Sequence, residues 1–349
     1  MNIGVGFNPN IPIETQIELT QEATRLGFDL ITTAEGPGQT YFHDAFQMCL
    51  MRWIASKEIR PEGITTMIAV SPVALRTPVG LAMSAQTLHQ ITGGKFILGV
   101  GTGRAYSGWY RKMWGVRDKS TVTLMRDYIT AIRALMTKEG ATIESPHFSY
   151  SGAKLNIDYP GPEIWVAALG PNIIKVGAEL TDGLVLNNCS PEYIRDTVRP
   201  MVADHAKAAG RDPSAVKIQH GVRLVIDDDI KAARRVLARG QIGEVSLSPT
   251  RTRGEAYQRH DLQQGYTEEL AEVRAMIERG MSEDDILDHY PEPLLKGAYY
   301  GPMDGAIEAF RRISAPLDTA MLNVSTAGKT SIEQTKAFWR ALRPEVLRA

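Results

Sequence analysis

Residues Ile64–Arg104 read ITTMIAVSPVALRTPVGLAMSAQTLHQITGGKFILGVGTGR, and this stretch decides the fold. Ile64–Val70 is an apolar run of strand length. Val79–Ile91 has helical character and is stopped by Gly93-Gly94. Phe96–Val100 is a second apolar run. Strand, helix, strand in that order is one unit of a parallel sheet. The alternation continues on both sides. Upstream, Ile3–Phe7 and Leu30–Thr33 are strands. Between them Ile13, Ile17, Leu19, Ala23 and Leu26 fall close to helical spacing until Gly27 breaks the helix, and a further helix covers about Ala45–Ser56. Downstream, Ile164–Ala168 is the fifth strand, followed by a helix from about Asn172 to Leu180. Leu184–Leu186 is the sixth, with a helix over about Pro191–Ala208. Lys217–Ile226 is the seventh and Thr319–Val324 the eighth, with a last helix over Ser331–Leu342. Eight strands, each followed by a helical pattern, predict an α/β fold, a (β/α)8 barrel of the TIM type. An open doubly wound sheet is the alternative that shares this alternation.

Two excursions interrupt the repeat. Residues 104–122 separate the fourth strand from its helix. Residues 241–301 are polar and include Pro249, Gly254, Gly265 and Tyr290-Pro291-Glu292-Pro293. A segment of that length in a compact barrel is a functional lid or a disordered insert, and the helical pattern over Thr267–Arg279 argues for partial order. The 349 residues would make two domains at about 150 residues each, but α/β barrels reach this size as one unit. One domain over 1–349, with 241–301 as an insertion after the seventh strand, is expected.

Apolar residues make up 43% and charged residues 23% of the chain, and the formal net charge is −1 with both signs dispersed. A soluble globular core follows, and nothing points to nucleic acid or a polybasic membrane contact. No apolar run approaches the roughly 20 residues of a membrane span. The amino-terminal Met1-Asn2-Ile3-Gly4-Val5-Gly6 reads as a strand rather than a signal peptide. Cys49 and Cys189 stand far apart and form no CxxC pair, which fits reduced thiols. A cytoplasmic location is expected.

In a parallel barrel the chemistry sits at the carboxyl ends of the strands. The second strand is followed by Ala34-Glu35-Gly36-Pro37-Gly38, where Glu35 is either a carboxylate that orients a ligand or takes a proton, or a surface acid in a turn. The third is followed by Ser71-Pro72. The fourth runs into Gly99-Val100-Gly101-Thr102-Gly103, three alternating glycines that allow close approach of a flat ligand or simply make a turn. Arg104 occupies the place where GxGxxG would need glycine, so this is no dinucleotide fingerprint. The fifth runs into Ala167-Ala168-Leu169-Gly170-Pro171-Asn172. Pro171 suits a first helical turn, whose free N–H groups offer an anion site if the turn is more than a connection. Asn187 and Asn188 after the sixth strand either bind a ligand or cap the next helix. His43-Asp44 could supply an acid or base, although Asp44 also reads as a helix cap. His220 lies within the seventh strand, where a structural role is favoured. Trp109, Tyr110 and Trp114 wall a pocket or pack the first excursion.

The stretches PVALRTPVGLAMSAQTLHQITGGKFILGVGTGR, with the strand before it, and IWVAALGPNIIKVGAELTDGLVLNNCSPEY (Ile164–Tyr193) together resemble the luciferase-like family of flavin and deazaflavin oxidoreductases. That resemblance implies a barrel holding a reduced flavin or deazaflavin at the carboxyl ends of its strands. It implies a non-proline cis peptide behind the ring, at Ala69–Val70 and followed by Ser71. Gly101, Thr102 and Gly103 would lie near the ring or the ribityl tail, and the turn Ala167–Asn172 would hold the phosphate. Asn187 would contact the cofactor. AALGP followed by AELTDGLVLN is more similar to the branch that uses coenzyme F420 than to the FMN monooxygenases.

The expected activity is therefore hydride transfer between reduced F420 and a small organic substrate, with Glu35, Arg104, Tyr41 and His43 facing that substrate and the chain working as a homodimer. One alternative is an FMN-dependent monooxygenase that uses O2 and a separate reductase, with 241–301 as the lid that keeps water out. Another, of a different class, is a non-catalytic flavin-binding protein. The chain departs from the family pattern twice. Gly36 stands where many members have histidine after the acid, and Arg104 stands where the sugar-phosphate dehydrogenases of the F420 branch have glutamate.

Overall fold

The structure, a computed structural model, describes residues 1–349 apart from 8–9, 37–42, 104–107, 116, 118–120 and 246–253. In chain order the strands are β1 (Asn2–Gly6), β2 (Leu30–Thr33), β3 (Thr65–Pro72), β4 (Phe96–Gly101), β5 (Ala141–Glu144), β6 (Ser149–Ala153), β7 (Glu163–Ala168), β8 (Gly183–Leu186), β9 (Lys217–Ile226), β10 (Tyr299–Gly301) and β11 (Thr319–Ser325). The helices are α1 (Ile13–Arg25), α2 (Ala45–Lys57), α3 (Pro78–Ile91), α4 (Gly108–Trp114), α5 (Val122–Leu135), α6 (Pro171–Leu180), α7 (Pro191–Tyr193), α8 (Arg199–Ala208), α9 (Ile230–Val245), α10 (Gly254–Gln263), α11 (Thr267–Glu278), α12 (Glu283–Asp288), α13 (Ala306–Ser314), α14 (Ile332–Ala341) and α15 (Pro344–Arg348). A π-turn over Ile194–Val198 joins α7 to α8.

The sheet order is β9-β11-β1-β2-β3-β4-β7-β8, and β8 pairs again with β9. This is a closed eight-stranded parallel barrel with helices between the strands, as the alternating pattern predicts. The two strands outside the repeat, β5 and β6, form a separate antiparallel hairpin, and β10 adds to the far side of β9. By contacts the chain divides into two compact units. One holds Asn2–Val185 with Met201–Gln219; the other holds Met1, Leu186–Pro200 and His220–Ala349.

In the first unit the strands are apolar on both faces because a parallel strand is covered on both sides. Ile3, Val5, Ile31, Met67, Ile68, Leu98, Val100 and Val166 are fully buried. The helices begin where the chain offers a side-chain acceptor to the free N–H groups of the first turn. Asp44 caps α2, Thr77 caps α3 with Pro78 behind it, and Thr121 caps α5. Gly93 and Gly94, at φ 61° and 88°, end α3 in a left-handed turn. Strands β3 and β4 stay in register to Ile68↔Leu98 and resume at Ser71↔Val100, so β3 carries one extra residue there.

In the second unit, the segment expected as an insertion is a packed helical layer. Leu270, Val273, Met276, Ile286, Leu287, Tyr290, Leu294 and Leu295 make a buried cluster with Ala233, Leu237, Ala238 and Ile242 of α9 and Val225 of β9. The expected helix over Thr267–Arg279 is α11. Its neighbours α10 and α12 were hidden by the polar composition of the segment.

Candidate functional site

Glu35 follows β2, and its side chain is only 8% exposed. Three donors converge on it. Ser71 Oγ donates to Oε2 at 2.5 Å, Arg76 Nε reaches Oε1 at 3.2 Å, and Arg76 Nη2 also donates to Oε1. The same Nη2 donates to Asp44 Oδ2, while Asp44 Oδ1 accepts from the Gln47 N–H to cap α2. The Arg76 guanidinium lies over the Phe46 ring, 4.9 Å from its centre. One cation thus ties the end of β2, the end of β3 and the start of α2 together, and the group keeps one negative charge in excess. Burial works against the charge on Arg76, but the hydrogen bonds to Glu35 and Asp44 outweigh it and hold the guanidinium above its ordinary pKa. Burial likewise raises Asp44, yet Arg76 and the Gln47 N–H prevail and hold its carboxyl below the usual range. A carboxylate so occupied orients a ligand through its charge.

Behind this group the Ala69–Val70 peptide is cis, at the position that the resemblance implies. The alternating glycines pack against it. A Cβ on Gly99 would come within 2.1 Å of the Ile68 carbonyl oxygen, and one on Gly101 within 2.5 Å of Val70 Cγ2. The close approach that these glycines allow is therefore between β3 and β4. Gly103, at φ 55°, faces Pro72 and the Trp114 ring. Thr102 Oγ1 turns back to the Gly103 carbonyl at 3.4 Å.

At the end of β7, Ala167, Ala168 and Leu169 lead to Gly170, the N-cap of α6, with Pro171 in the first turn. No side chain caps this helix, and its first turn holds no acid. Asn172 lies in that turn. A second buried cation, Arg52, is 1% exposed beneath the ends of β1 and β2. It donates to the Thr32 carbonyl at 2.8 Å, Thr33 Oγ1 at 2.5 Å and Gln16 Oε1 at 2.8 Å, and it stacks 4.4 Å from the Phe7 ring. Burial lowers its pKa to about 10. Its partners are structural, and it fastens the strand that carries Glu35.

In the second unit, Asn187 follows β8 and donates through Nδ2 to the Tyr257 hydroxyl at 2.8 Å. The alternative that Asn187 or Asn188 caps the next helix does not hold. Ser190 caps α7, its Oγ accepting from the Tyr193 N–H. His220 has the structural part expected of it: its Nε2 accepts from the Cys189 N–H at 3.2 Å. Burial, with Arg223 nearby, lowers its pKa to about 3. Both cysteines are free, buried thiols, and burial pushes Cys49 up to about 11 and Cys189 up to about 12. His43 is exposed beside Asp44. Tyr41 and Arg104 lie outside the described residues. The structure thus brings together Glu35, Ser71 and Asp44. It adds Arg76, which no motif marks in the sequence. Among the described residues no group of His, Cys, Asp and Glu could hold a metal ion.

Residues 3–314 match the luciferase-like monooxygenase family. The chain belongs to that family. It is 25% identical over 234 residues to the 5,10-methylenetetrahydromethanopterin reductase of Methanolobus tindarius, covering 67% of this chain and 68% of that one. It is 26% identical over 357 residues, 96% of each chain, to a protein of Mycobacterium tuberculosis provisionally named a coenzyme F420-dependent oxidoreductase. Among solved structures, the F420-dependent tetrahydromethanopterin reductase of Methanopyrus kandleri shares the fold at TM-score 0.70 and 17% identity, covering 99% of this chain and 98% of that one. The oxygenating constituent of the 3,6-diketocamphane monooxygenase of Pseudomonas putida, in complex with FMN, shares it at TM-score 0.66 and 17% identity, covering 100% and 98%. The family and these relatives make the chain an oxidoreductase of the luciferase-like family, and the non-catalytic alternative is set aside.

Proposed function

We propose that the chain transfers a hydride between coenzyme F420 and a small organic substrate with a reducible carbonyl, imine or alkene. The likeness along 96% of the chain to the relative named for F420 carries the choice of cofactor. The described residues fit such a group. The start of α6 offers the Asn172 backbone N–H to a phosphate tail, with no side-chain cap and no acid in the first turn; Pro171 has no N–H, and the Ile173 and Ile174 N–H groups donate to the Gly170 carbonyl. The backbone of Ala69, Val70 and Ser71 and the turn Gly101-Thr102-Gly103 would back the ring, and Ala167–Asn172 would hold the phosphate, with Asn187 as a further contact. When bound, the deazaflavin supplies the hydride pair and reacts poorly with oxygen. The protein supplies orientation and charge. Arg76 fixes the Glu35 carboxylate, and the excess negative charge of Glu35, Arg76 and Asp44 favours a substrate that is neutral or offers a hydrogen-bond donor. Glu35, with His43, Tyr41 and Arg104, is proposed to face the substrate.

A second reading, an FMN-dependent monooxygenase fed by a separate reductase, is favoured by the fold shared with the FMN-bound monooxygenase. No helix among the described residues is long and apolar enough to cross a membrane. A cytoplasmic homodimer remains the working assembly. Titration of the purified protein with F420 and FMN, followed by fluorescence, tests the reading. Micromolar or tighter F420 binding with much weaker FMN binding is expected. A preference for FMN would replace the cofactor and make oxygen consumption the next assay. Binding of neither would overturn both readings.

A further inference from the structure

Helix α10 is built with its polar side inward. Tyr257, His260 and Asp261 of α10 and Gln264, the residue just after its last turn, whose N–H still donates to the His260 carbonyl, stand at i, i+3, i+4 and i+7, which is one helix face. His260 is 1% and Asp261 3% exposed, whereas the apolar Leu262 is 44% exposed. A surface helix ordinarily buries its apolar stripe, so a buried polar face is the informative exception. Such a face must find partners. Asp261 pairs with Lys296 Nζ at 2.5 Å. The other three residues all meet the four residues that follow β8. The Tyr257 hydroxyl accepts from Asn187 Nδ2, and His260 Nε2 lies 3.3 Å from Cys189 Sγ. Gln264 Nε2 donates to the Asn188 carbonyl at 2.8 Å, and its Oε1 accepts from the Ser190 N–H at 2.9 Å. The Gln264 carboxamide thus takes one carbonyl and one N–H on either side of Cys189, as a neighbouring strand would. What it holds is a left-handed turn: Asn188, 2% exposed, sits at φ 56°, a conformation that asparagine adopts more readily than other L-residues apart from glycine.

We infer that α10 is a positioning element for residues 187–190, with Gln264 as its principal contact, and that it sets cofactor affinity by fixing the backbone from which Asn187 projects. The affinity part rests on the proposed F420 reading. Directional hydrogen bonds fix a backbone more tightly than apolar packing of the same area, which is what a binding loop needs.

The test uses the full chain and three variants. Gln264→Leu removes both hydrogen bonds. Gln264→Glu keeps the acceptor for Ser190 and sets an oxygen against the Asn188 carbonyl. Tyr257→Phe removes only the hydroxyl that meets Asn187. Amide hydrogen exchange over 186–193 in the ligand-free protein reports the loop, and F420 and FMN titrations report affinity. Both Gln264 variants should exchange faster over 188–190; Gln264→Leu, which loses two modest hydrogen bonds, should bind F420 about tenfold more weakly, and Gln264→Glu, which loses one, severalfold more weakly. Tyr257→Phe should leave exchange over 188–190 unchanged and weaken F420 binding severalfold. Unchanged exchange in both Gln264 variants would overturn the positioning role. Faster exchange with unchanged F420 affinity in all three would overturn the link to the cofactor. If the wild type binds neither F420 nor FMN, the functional reading fails and the affinity claim with it, while the exchange data still decide whether Gln264 holds the loop.

Discussion

Gly99→Ala tests how tightly β4 is pressed on β3 behind the candidate site. The added Cβ would stand 2.1 Å from the Ile68 carbonyl oxygen and 3.1 Å from Val70 Cγ1, whereas ordinary contact begins at 3.4 Å. The first overlap exceeds an ångström and involves backbone, so no side-chain rotation relieves it. Either strand must shift, across the register change between Ile68 and Ser71. Overpacking of this kind costs about 1–3 kcal/mol, with the upper end expected where only backbone can yield. The smaller entropy of alanine in the unfolded chain returns about 0.4–1 kcal/mol. A net loss of about 2 kcal/mol follows, read as a lower denaturation midpoint at unchanged slope in urea. Gly240→Ala is the control. It is a helical position in α9 with nothing within 4 Å of the added Cβ, and there the same change should stabilise by about 0.5–1 kcal/mol. If Gly99→Ala lies within about 0.5 kcal/mol of the wild type, steric pressure is not what this glycine relieves, and the account of the β3–β4 contact is wrong.

The remaining predictions concern charge. His220 and His260 have pKa values lowered to about 3 and about 4, chiefly by burial. Between those values and the ordinary value of 6.5, the unfolded chain binds protons that the folded chain does not, so stability should rise with pH up to about 6.5 and then level. Replacing His260 with Gln should remove about one proton from that slope, measured as midpoint against pH; an unchanged slope would contradict the burial argument. Lys296→Met would strand Asp261, whose side chain is 4% exposed. It should cost about 3–5 kcal/mol in denaturation, and adding Asp261→Leu should recover much of the loss; no recovery would show that Lys296 serves other partners. Arg76→Met should destabilise by about 1–3 kcal/mol, because among the described residues it leaves the Glu35 carboxylate with the Ser71 hydroxyl alone. Arg76→Lys should recover only part, since an ammonium cannot serve both carboxylates as the guanidinium fork does; full recovery would show that charge alone suffices.

The barrel was legible because its signal is local. Each strand is a short apolar run, helices such as α1 and α3 are stopped by the glycines Gly27 and Gly93-Gly94, and the alternation repeats through Ile3–Val324. The hairpin Ala141–Ala153 was not legible: apart from the buried Ala141 its strand residues are exposed or half-buried, and no apolar face marks them. Of the candidate site, Glu35, Ser71 and Asp44 could be placed from their positions after strands and at a helix start. Arg76 could not, because it lies 41 residues from Glu35, and the parallel pairing of β2 with β3 is what brings the two together. Arg52 illustrates the same limit. On α2 it reads as a solvated cation, and only tertiary structure shows it stacked on Phe7 and bound to Thr32 and Thr33.

The polar face of α10 is hidden in the sequence for the opposite reason. Polar residues at i, i+3, i+4 and i+7 are what a solvated helix face looks like, so the pattern carried no warning that His260 and Asp261 are buried. What distinguishes the two cases is where the apolar residues go. Leu262 is turned outward, and the apolar content needed to pack the segment lies in α11 and α12, at Leu270, Val273, Met276, Ile286 and Leu287. The segment 254–301 therefore divides its work. Its second and third helices supply the apolar core against α9, while its first helix, which also lies against α9, makes the hydrogen bonds. This division accounts for a polar sequence, which suggests a loose lid, folding as a layer whose inner face fixes the backbone of residues 187–190.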